Sequence, residues 1–338
     1  MQHRARFYEK RVEKIRCLLC PHRCLLGEGE VGLCGVREVS VGELYTKVYN
    51  YVAALNWDPI EKKPLYHFHP EKTILSVGTV GCNLGCSFCQ NWTLARGRPD
   101  QKSDIIKPED LLAMLDREGG RAKTIGLAYT YNEPTVWYEY VFDTARLLHE
   151  RGYKNVLVTN GYINREPLLE ILPYIDAMNI DVKGFTNSFY KDYCQGSMKP
   201  VIETVETAVK HCHVEITCLL IPGLNDDLKE QEELASWLGN LSRDLVLHYS
   251  RYFPQYKLDI PPTSPETMIG IREMARKYLR YVYLGNIDFP GTSDTICPHC
   301  GNLLVKRSGY RVRVVGLDGV NCNNCRNQIS VILSDNNE

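Results

Sequence analysis

Cys82, Cys86 and Cys89 stand in a C-x3-C-x2-C spacing within a Gly- and Asn-rich turn, residues 81–92, directly behind the apolar run 73–80. Three thiols so close cannot all pair off as disulfides, because one is always left over. Soft sulfur donors in a tight array suit an iron–sulfur cluster or zinc. A structural zinc takes four protein ligands, whereas three cysteines on a four-iron cluster leave one iron open to a ligand from outside the protein. The odd count therefore points to a reactive [4Fe-4S] site. A zinc knuckle short of one ligand, or three core cysteines, is the bland alternative.

Two further groups flank this turn. Cys17, Cys20, Cys24 and Cys34 are separated by two, three and nine residues, and Gly27, Gly29 and Gly32 loosen the last loop so that Cys34 can fold back. No regular structure is predicted between them, so a metal would replace the missing core energy. A closed zinc site needs only these four residues and is the favoured reading; an auxiliary iron–sulfur cluster is the other, with His22 able to stand in for a cysteine. Near the end, Cys297, Cys300, Cys322 and Cys325 form C-x2-C-x21-C-x2-C around β-prone residues 303–305 and 310–315. Two knuckles bridged by a hairpin read as a zinc ribbon, with rubredoxin-type iron as runner-up. Cys194, Cys212 and Cys218 read as ordinary buried thiols.

Polar residues also collect where strands are predicted to end. Asn132 and Glu133 can hydrogen-bond an amino group, and Glu133 supplies charge for it; turn chemistry alone also explains Asn132 and Pro134. Thr159, Asn160 and Gly161 follow the next strand, with Gly161 suited to a close backbone approach. Alternation points Asn179, Asp181 and Lys183 to one side, which is costly in a barrel lumen unless they are paired or bound to a ligand. An Asp181–Lys183 pair is the structural alternative. Glu215, Thr217, His248, Ser250, Arg251 and Asn286 mark the later strand ends. Tyr129, Tyr131 and Tyr190 read as packing residues ahead of any radical relay.

These residues need a scaffold of strands that end on one face. Apolar runs at 74–80, 124–129, 155–159, 177–182, 214–221, 245–249 and 281–284 alternate with helical stretches at 108–118, 135–151, 166–171, 201–211, 229–240 and 265–279. Such alternation predicts an α/β fold with a parallel sheet, here a partial (β/α)6 TIM-like barrel carrying function at the C-terminal ends of its strands. The expected division is a four-cysteine module with a proline-bounded connector (1–70), the barrel (71–290) and the ribbon (291–338). The chain has 338 residues, 44% of them apolar, and a net charge of −1, which disfavours broad attraction to nucleic acid or membranes. No run of about 18 apolar residues and no signal-peptide pattern occurs, so a cytoplasmic protein is expected. In that compartment tight C-x-x-C groups read as metal sites.

The turn at 81–92 resembles the signature of radical S-adenosylmethionine (SAM) enzymes. Over residues 17 to about 330 the chain is similar to the AmmeMemoRadiSam system radical SAM enzyme. The matching residues are Cys17-Leu-Leu-Cys20-Pro21-His22-Arg-Cys24, Gly32 to Arg37, Asp58 to Phe68, the cysteine turn, Thr130 to Pro134, Val158 to Gly161 and the terminal paired C-x-x-C. That family in turn resembles the activating enzymes of pyruvate formate-lyase. The resemblance implies a [4Fe-4S] cluster on Cys82, Cys86 and Cys89 whose open iron chelates SAM, and a 5′-deoxyadenosyl radical that abstracts hydrogen. It implies Asn132 and Glu133 near the SAM amino group, and Asp181, Lys183 and His248 around SAM or substrate, with Thr159, Asn160 and Gly161 also at the cofactor. Val158 stands where the activating enzymes have aspartate, which puts their monovalent-cation site in doubt here. The implied partners are a protein or peptide substrate, Memo-like and AMMECR-like proteins, and an electron donor such as flavodoxin or ferredoxin. RNA or a small metabolite as substrate, and a non-catalytic zinc scaffold, are the competing expectations.

Overall fold

The computed structural model describes residues 3–99, 104–117 and 124–334. Its centre is one eight-stranded sheet: β1 (Ala54–Pro59), β2 (Thr73–Gly78), β3 (Thr124–Tyr129), β4 (Lys154–Thr159), β5 (Ala177–Asp181), β6 (His213–Leu220), β7 (Val246–Arg251) and β8 (Tyr281–Gly285). The strands lie side by side in chain order. β2 to β8 are all parallel, and β1 pairs antiparallel with β2 at the edge. The connecting helices are α1 (Pro108–Arg117), α2 (Tyr138–Glu150), α3 (Arg165–Ile171), α4 (Met198–Ala208), α5 (Leu228–Leu241) and α6 (Pro265–Ala275). The expected helix at 108–118 agrees over its described part, and Glu118 lies outside the described residues. The expected helix at 135–151 opens instead as a 3-10 turn, Pro134–Trp137, because Pro134 supplies no N–H and the Glu133 carboxylate caps Thr135 N at 2.9 Å.

Each parallel strand has an outer face toward the helices and an inner face toward the lumen. Leu127, Leu157, Met178, Ile216, Leu247 and Val282 join the large core under the helices. Ile125, Val156 and Ala177 turn inward and meet Ile60, Leu65 and Phe68. Those three come from the connector, read from sequence as an extended segment with no clear period. It is the stuffing of the barrel. Asn179 Nδ2 donates to Pro64 O at 2.8 Å, and the Tyr66 and His67 N–H groups donate to Glu215 at 2.9 and 2.7 Å.

Glu215 is fully buried and also accepts from His213 Nε2 at 3.0 Å and His248 Nε2 at 2.6 Å. Burial alone would raise its pKa, but the hydrogen bonds from His213 and His248 outweigh it and hold the carboxyl well below its ordinary range. Below this level Arg307, from the C-terminal hairpin, donates to Tyr66 O at 2.7 Å and stacks on the Tyr66 ring at 4.2 Å. The hairpin (Leu303–Ser308 with Arg311–Val314) shares a core with the inward residues Val246, Tyr281 and Tyr283, so the ribbon closes the open side of the lumen.

The N-terminal module departs from expectation. Lys14–Cys17 pairs with Tyr8–Arg11 and Leu25–Leu26, while Arg37–Ser40 pairs with Glu43–Thr46. Ile15, Leu19, Leu26, Val36 and Leu44 belong to the same core as the barrel. The strands were masked in sequence because cysteine and arginine occupy inward positions that an apolar pattern would mark; Arg37 is buried and ion-paired with buried Glu139 at 2.5 Å.

Both buried titrations in the lumen lower stability in acid. His67 is pushed down to about 4 by burial, so its neutral form stabilises above its ordinary 6.5, and that contribution is lost as pH falls toward 4. Glu215 contributes fully above 4.5 and loses its contribution as pH falls further. Urea midpoints should therefore fall from about pH 6.5 downward. Glu215→Ala, which orphans four donors, should cost about 3–5 kcal/mol at neutral pH in the same measurement.

Candidate active site and metal centres

One cavity gathers residues from both ends of the sheet. Cys82, Cys86 and Cys89 after β2, Asn132 and Glu133 after β3, Thr159 at the end of β4 and Asn160 just after it, Asp181 and Lys183 at β5, Thr217 on β6, Ser250 on β7 and Asn286 after β8 all line it. Only a curled sheet brings its first parallel strand and its last to one mouth, and the mouth lies at the C-terminal ends of the strands.

The cysteine loop has little regular structure of its own and is pinned from every side. Gly85 N and Ser87 N donate to the Cys194 and Tyr193 carbonyls at 2.7 and 2.9 Å, and Arg96 donates to Leu84 O. Asn132 spans the approach, with Nδ2 on Gly81 O at 2.9 Å and Oδ1 accepting Thr79 N at 3.2 Å. Gly81 has φ +92° and its position for a Cβ lies 2.7 Å from Cys34 O, so no other residue fits. Asn160 Nδ2 reaches Cys82 Sγ at 3.7 Å and Asn83 Oδ1 at 3.0 Å.

Glu133 is 1% exposed, and its oxygens accept from Thr135 N (2.9 Å), Thr159 Oγ1 (2.7 Å) and Asn160 N (2.8 Å). Burial raises its pKa against those bonds. Its described partners are all protein donors, so its clearest structural role is to fix the β3 and β4 tips. Asp181 Oδ2 and Lys183 Nζ pair at 2.7 Å on the cavity wall; desolvation by burial lowers the Lys183 pKa, and the nearby Asp181 charge more than offsets it.

His248 and Gly161 fall outside this gathering. His248 shares the inner face and register of Thr217, yet its ring turns down onto Glu215 and packs edge-on against Tyr66 at 4.7 Å. The expectation that it touches SAM or substrate does not match that placement; a buried acid one layer below captured it. Asn179 likewise sits one layer down, accepting from Thr217 Oγ1 at 3.0 Å. Gly161, with φ +68°, turns the chain after β4 and receives Thr204 Oγ1 at its carbonyl at 2.8 Å.

Two residues were underrated in sequence. Tyr131 lines the cavity while its hydroxyl donates to Asp58 at 2.7 Å, and Lys63 lies over its ring at 4.7 Å. Cys194 is completely buried and its thiol contacts Cys86. Nothing in spacing could have paired those two, because the chain returns there only through the turn Tyr190–Cys194. Cys218 is buried as expected; Cys212 is half-buried.

The donor chemistry separates the three cysteine groups. Among the described residues, only Cys297, Cys300, Cys322 and Cys325 bring their sulfurs all within 4.8 Å of one another. Two of their edges measure 3.7 Å, and four bonds of about 2.3 Å to one ion give edges of about 3.8 Å. Asn302 and Asn327 donate to Cys322 and Cys325 at 3.8 and 3.3 Å, the outer support expected of metal ligands. Backbone donors, led by Cys325 N, hold the Cys322 thiol down to about 6. This group is a metal site.

Cys82, Cys86 and Cys89 do not all gather within 4.8 Å as the ribbon sulfurs do. Burial pushes the Cys82 and Cys89 thiols up, and Cys194 does so for Cys86. Three thiolates there require a large positive charge among them, which a polynuclear iron centre provides.

Residues 76–238 match the radical SAM superfamily. The uncharacterized protein MJ0808 of Methanocaldococcus jannaschii is 41% identical over 337 residues, 97% of this chain and 99% of its own length. This chain belongs to the radical SAM superfamily. A probable dual-specificity RNA methyltransferase RlmN of a Thermotoga species is 26% identical over 258 residues, covering 71% of each chain. Among solved structures, Streptococcus suis SuiB aligns over 65% of this chain and 49% of its own, with a TM-score of 0.50 and 12% identity, a likeness of fold. A domain of a Bacteroides vulgatus pyruvate-formate lyase-activating enzyme aligns over 47% of this chain and 98% of its own, at 19% identity and a TM-score of 0.42. Radical SAM membership makes the chain an enzyme with an iron–sulfur cluster and SAM, and the three cavity cysteines fit that cluster.

Asn160→Ala should weaken cluster retention by about 10–100-fold, read as iron released to a chelator over time. Cys300→Ser should remove the C-terminal metal, read by elemental analysis, while leaving the sulfide content unchanged.

Proposed function

We propose that this chain is an AmmeMemoRadiSam-type radical SAM enzyme that abstracts hydrogen from a protein or peptide, either installing a glycyl radical or modifying a side chain. The observation that carries the reading is the meeting of three loop cysteines with nine strand-end polar residues in one cavity. When bound, the cluster supplies one electron that cleaves the SAM sulfonium to a 5′-deoxyadenosyl radical. The chain's own residues do the rest. Asn132, with the Thr159 and Asn160 tips held by Glu133, shapes the wall where the methionine part of SAM would sit. The Asp181–Lys183 pair offers an acceptor and a cation to SAM or substrate on the opposite wall. The stuffed lumen below keeps bulk water from the reacting groups.

A polymeric substrate is supported by the rim. Trp92 and Phe253 are 39% and 42% exposed, Tyr256 stacks on Trp92 at 5.4 Å, and Lys257 N holds this turn against Ser87 O at 3.0 Å, beside the cysteine loop. We assign zinc to the closed C-terminal site, flavodoxin or ferredoxin as electron donor, Memo-like and AMMECR-like proteins as partners, and the cytoplasm as location. Among the described residues no helix is long and apolar enough to cross a membrane.

An RNA substrate is the second reading, favoured by the RlmN similarity and by Lys306, Arg311 and Arg313 lining a groove beside the hairpin. It requires binding that falls steeply with salt.

Anaerobic protein with dithionite and SAM should yield 5′-deoxyadenosine by mass spectrometry. Cys86→Ala should reduce it to background, and Asp181→Ala by about 100-fold. A wild-type protein holding its full iron complement but yielding none with any reductant would sink the reading.

A further inference from the structure

The N-terminal cysteines are not consumed by the chemistry above, and their geometry differs from that of the ribbon. Cys17, Cys20, Cys24 and Cys34 surround one pocket whose other walls are largely apolar, including Leu19 and Leu26. No three of their sulfurs gather within 4.8 Å, although the ribbon's four do. One tetrahedral ion with bonds of about 2.3 Å would draw its sulfurs to about 3.8 Å. A four-iron cube puts each thiolate on a separate corner and holds them much farther apart. In this they resemble Cys82, Cys86 and Cys89, whose sulfurs also do not all gather within 4.8 Å.

The pocket also carries a fixed cation and a direct route to the cavity. Arg37, 2% exposed and anchored by Glu139, donates through Nη1 to Cys17 Sγ at 3.3 Å. Hydrogen bonds to cluster sulfurs and nearby charge are the levers that tune such centres. His22 Nε2 donates to the carbonyl of Asn83, next to Cys82, at 2.6 Å. The Cys34 carbonyl presses on Gly81 at 2.7 Å from the Cβ position, which with standard backbone lengths puts the Cys34 and Cys82 Cα atoms roughly 10 Å apart at most.

We propose that Cys17, Cys20, Cys24 and Cys34 hold an iron–sulfur cluster of their own, of the four-iron type, through which single electrons reach the centre at Cys82, Cys86 and Cys89. This replaces the zinc favoured from spacing. A low-potential one-electron protein reductant of the ferredoxin or flavodoxin class gives one electron to the N-terminal centre, which returns to its oxidised state as that electron moves on. No proton or group moves with it. The relay rests on the radical SAM function proposed above; the metal assignment does not.

The test uses full-length protein in which Cys82, Cys86 and Cys89 are all changed to Ala, reconstituted anaerobically with iron and sulfide. Roughly four irons and four acid-labile sulfides per chain should remain, with a paramagnetic signal on dithionite reduction. Adding Cys20→Ser and Cys24→Ser should remove the sulfide. Should the triple variant not fold, wild type should hold roughly eight sulfides and the Cys20→Ser/Cys24→Ser variant roughly four. Zinc without sulfide in the triple variant, or equal sulfide in wild type and Cys20→Ser/Cys24→Ser, overturns the assignment. For the relay, fully reduced wild type should show dipolar broadening of its paramagnetic spectrum that both single-cluster variants lack; an unbroadened spectrum overturns it. Because sulfide counts and spectra need no SAM turnover, they read independently of whether 5′-deoxyadenosine is formed.

Discussion

The structure depends on holding the three sulfurs of Cys82, Cys86 and Cys89 still at the wall of one cavity. A loop of glycines, asparagine and cysteines has no helix or ladder to stiffen it, so every constraint comes from elsewhere. Glu133 is the centre of that support. Its buried carboxylate takes three protein donors and thereby locks Asn160, whose amide reaches Cys82 Sγ. A buried carboxylate so engaged is stable only while its donors stay in place, because an orphaned one costs several kcal/mol. Asn132 performs the same service for the approach to the loop, bridging Thr79 and Gly81.

A second buried acid does for the lower lumen what Glu133 does for the mouth. Glu215 gathers connector N–H groups and two histidines, and through Tyr66 the network extends to Arg307 in the ribbon. The connector, the barrel and the ribbon are thus one packed body on this side. The ribbon covers the inner faces of β7 and β8.

Much of the scaffold was legible because its physics is local. Parallel strands buried on both faces write themselves as short apolar runs, and the strand-end residues Asn132, Asp181, Lys183 and Asn286 followed from alternation and order alone. What was illegible depended on contacts distant in sequence. His248 has the residue type of a catalytic group, and only the position of Glu215 two residues into a neighbouring strand's inner face diverts it. Residues 54–59 carry Asn, Trp and Asp and so lack a strand-like pattern, yet they form the edge strand β1 because β2 offers a free edge. Cys194 looked like any core thiol until the chain folded it against Cys86. The family resemblance correctly indicated the superfamily, and the geometry then redistributed roles among its motif residues.

The plugged lumen sets where the cavity lies in the barrel. Ile60, Leu65 and Phe68 fill it from beneath, and the backbone of Ile332 stitches the chain terminus to His67 and His69 at 2.8 and 2.7 Å. Among the described residues the lumen is filled beneath the cavity, which is lined by the C-terminal ends of the strands.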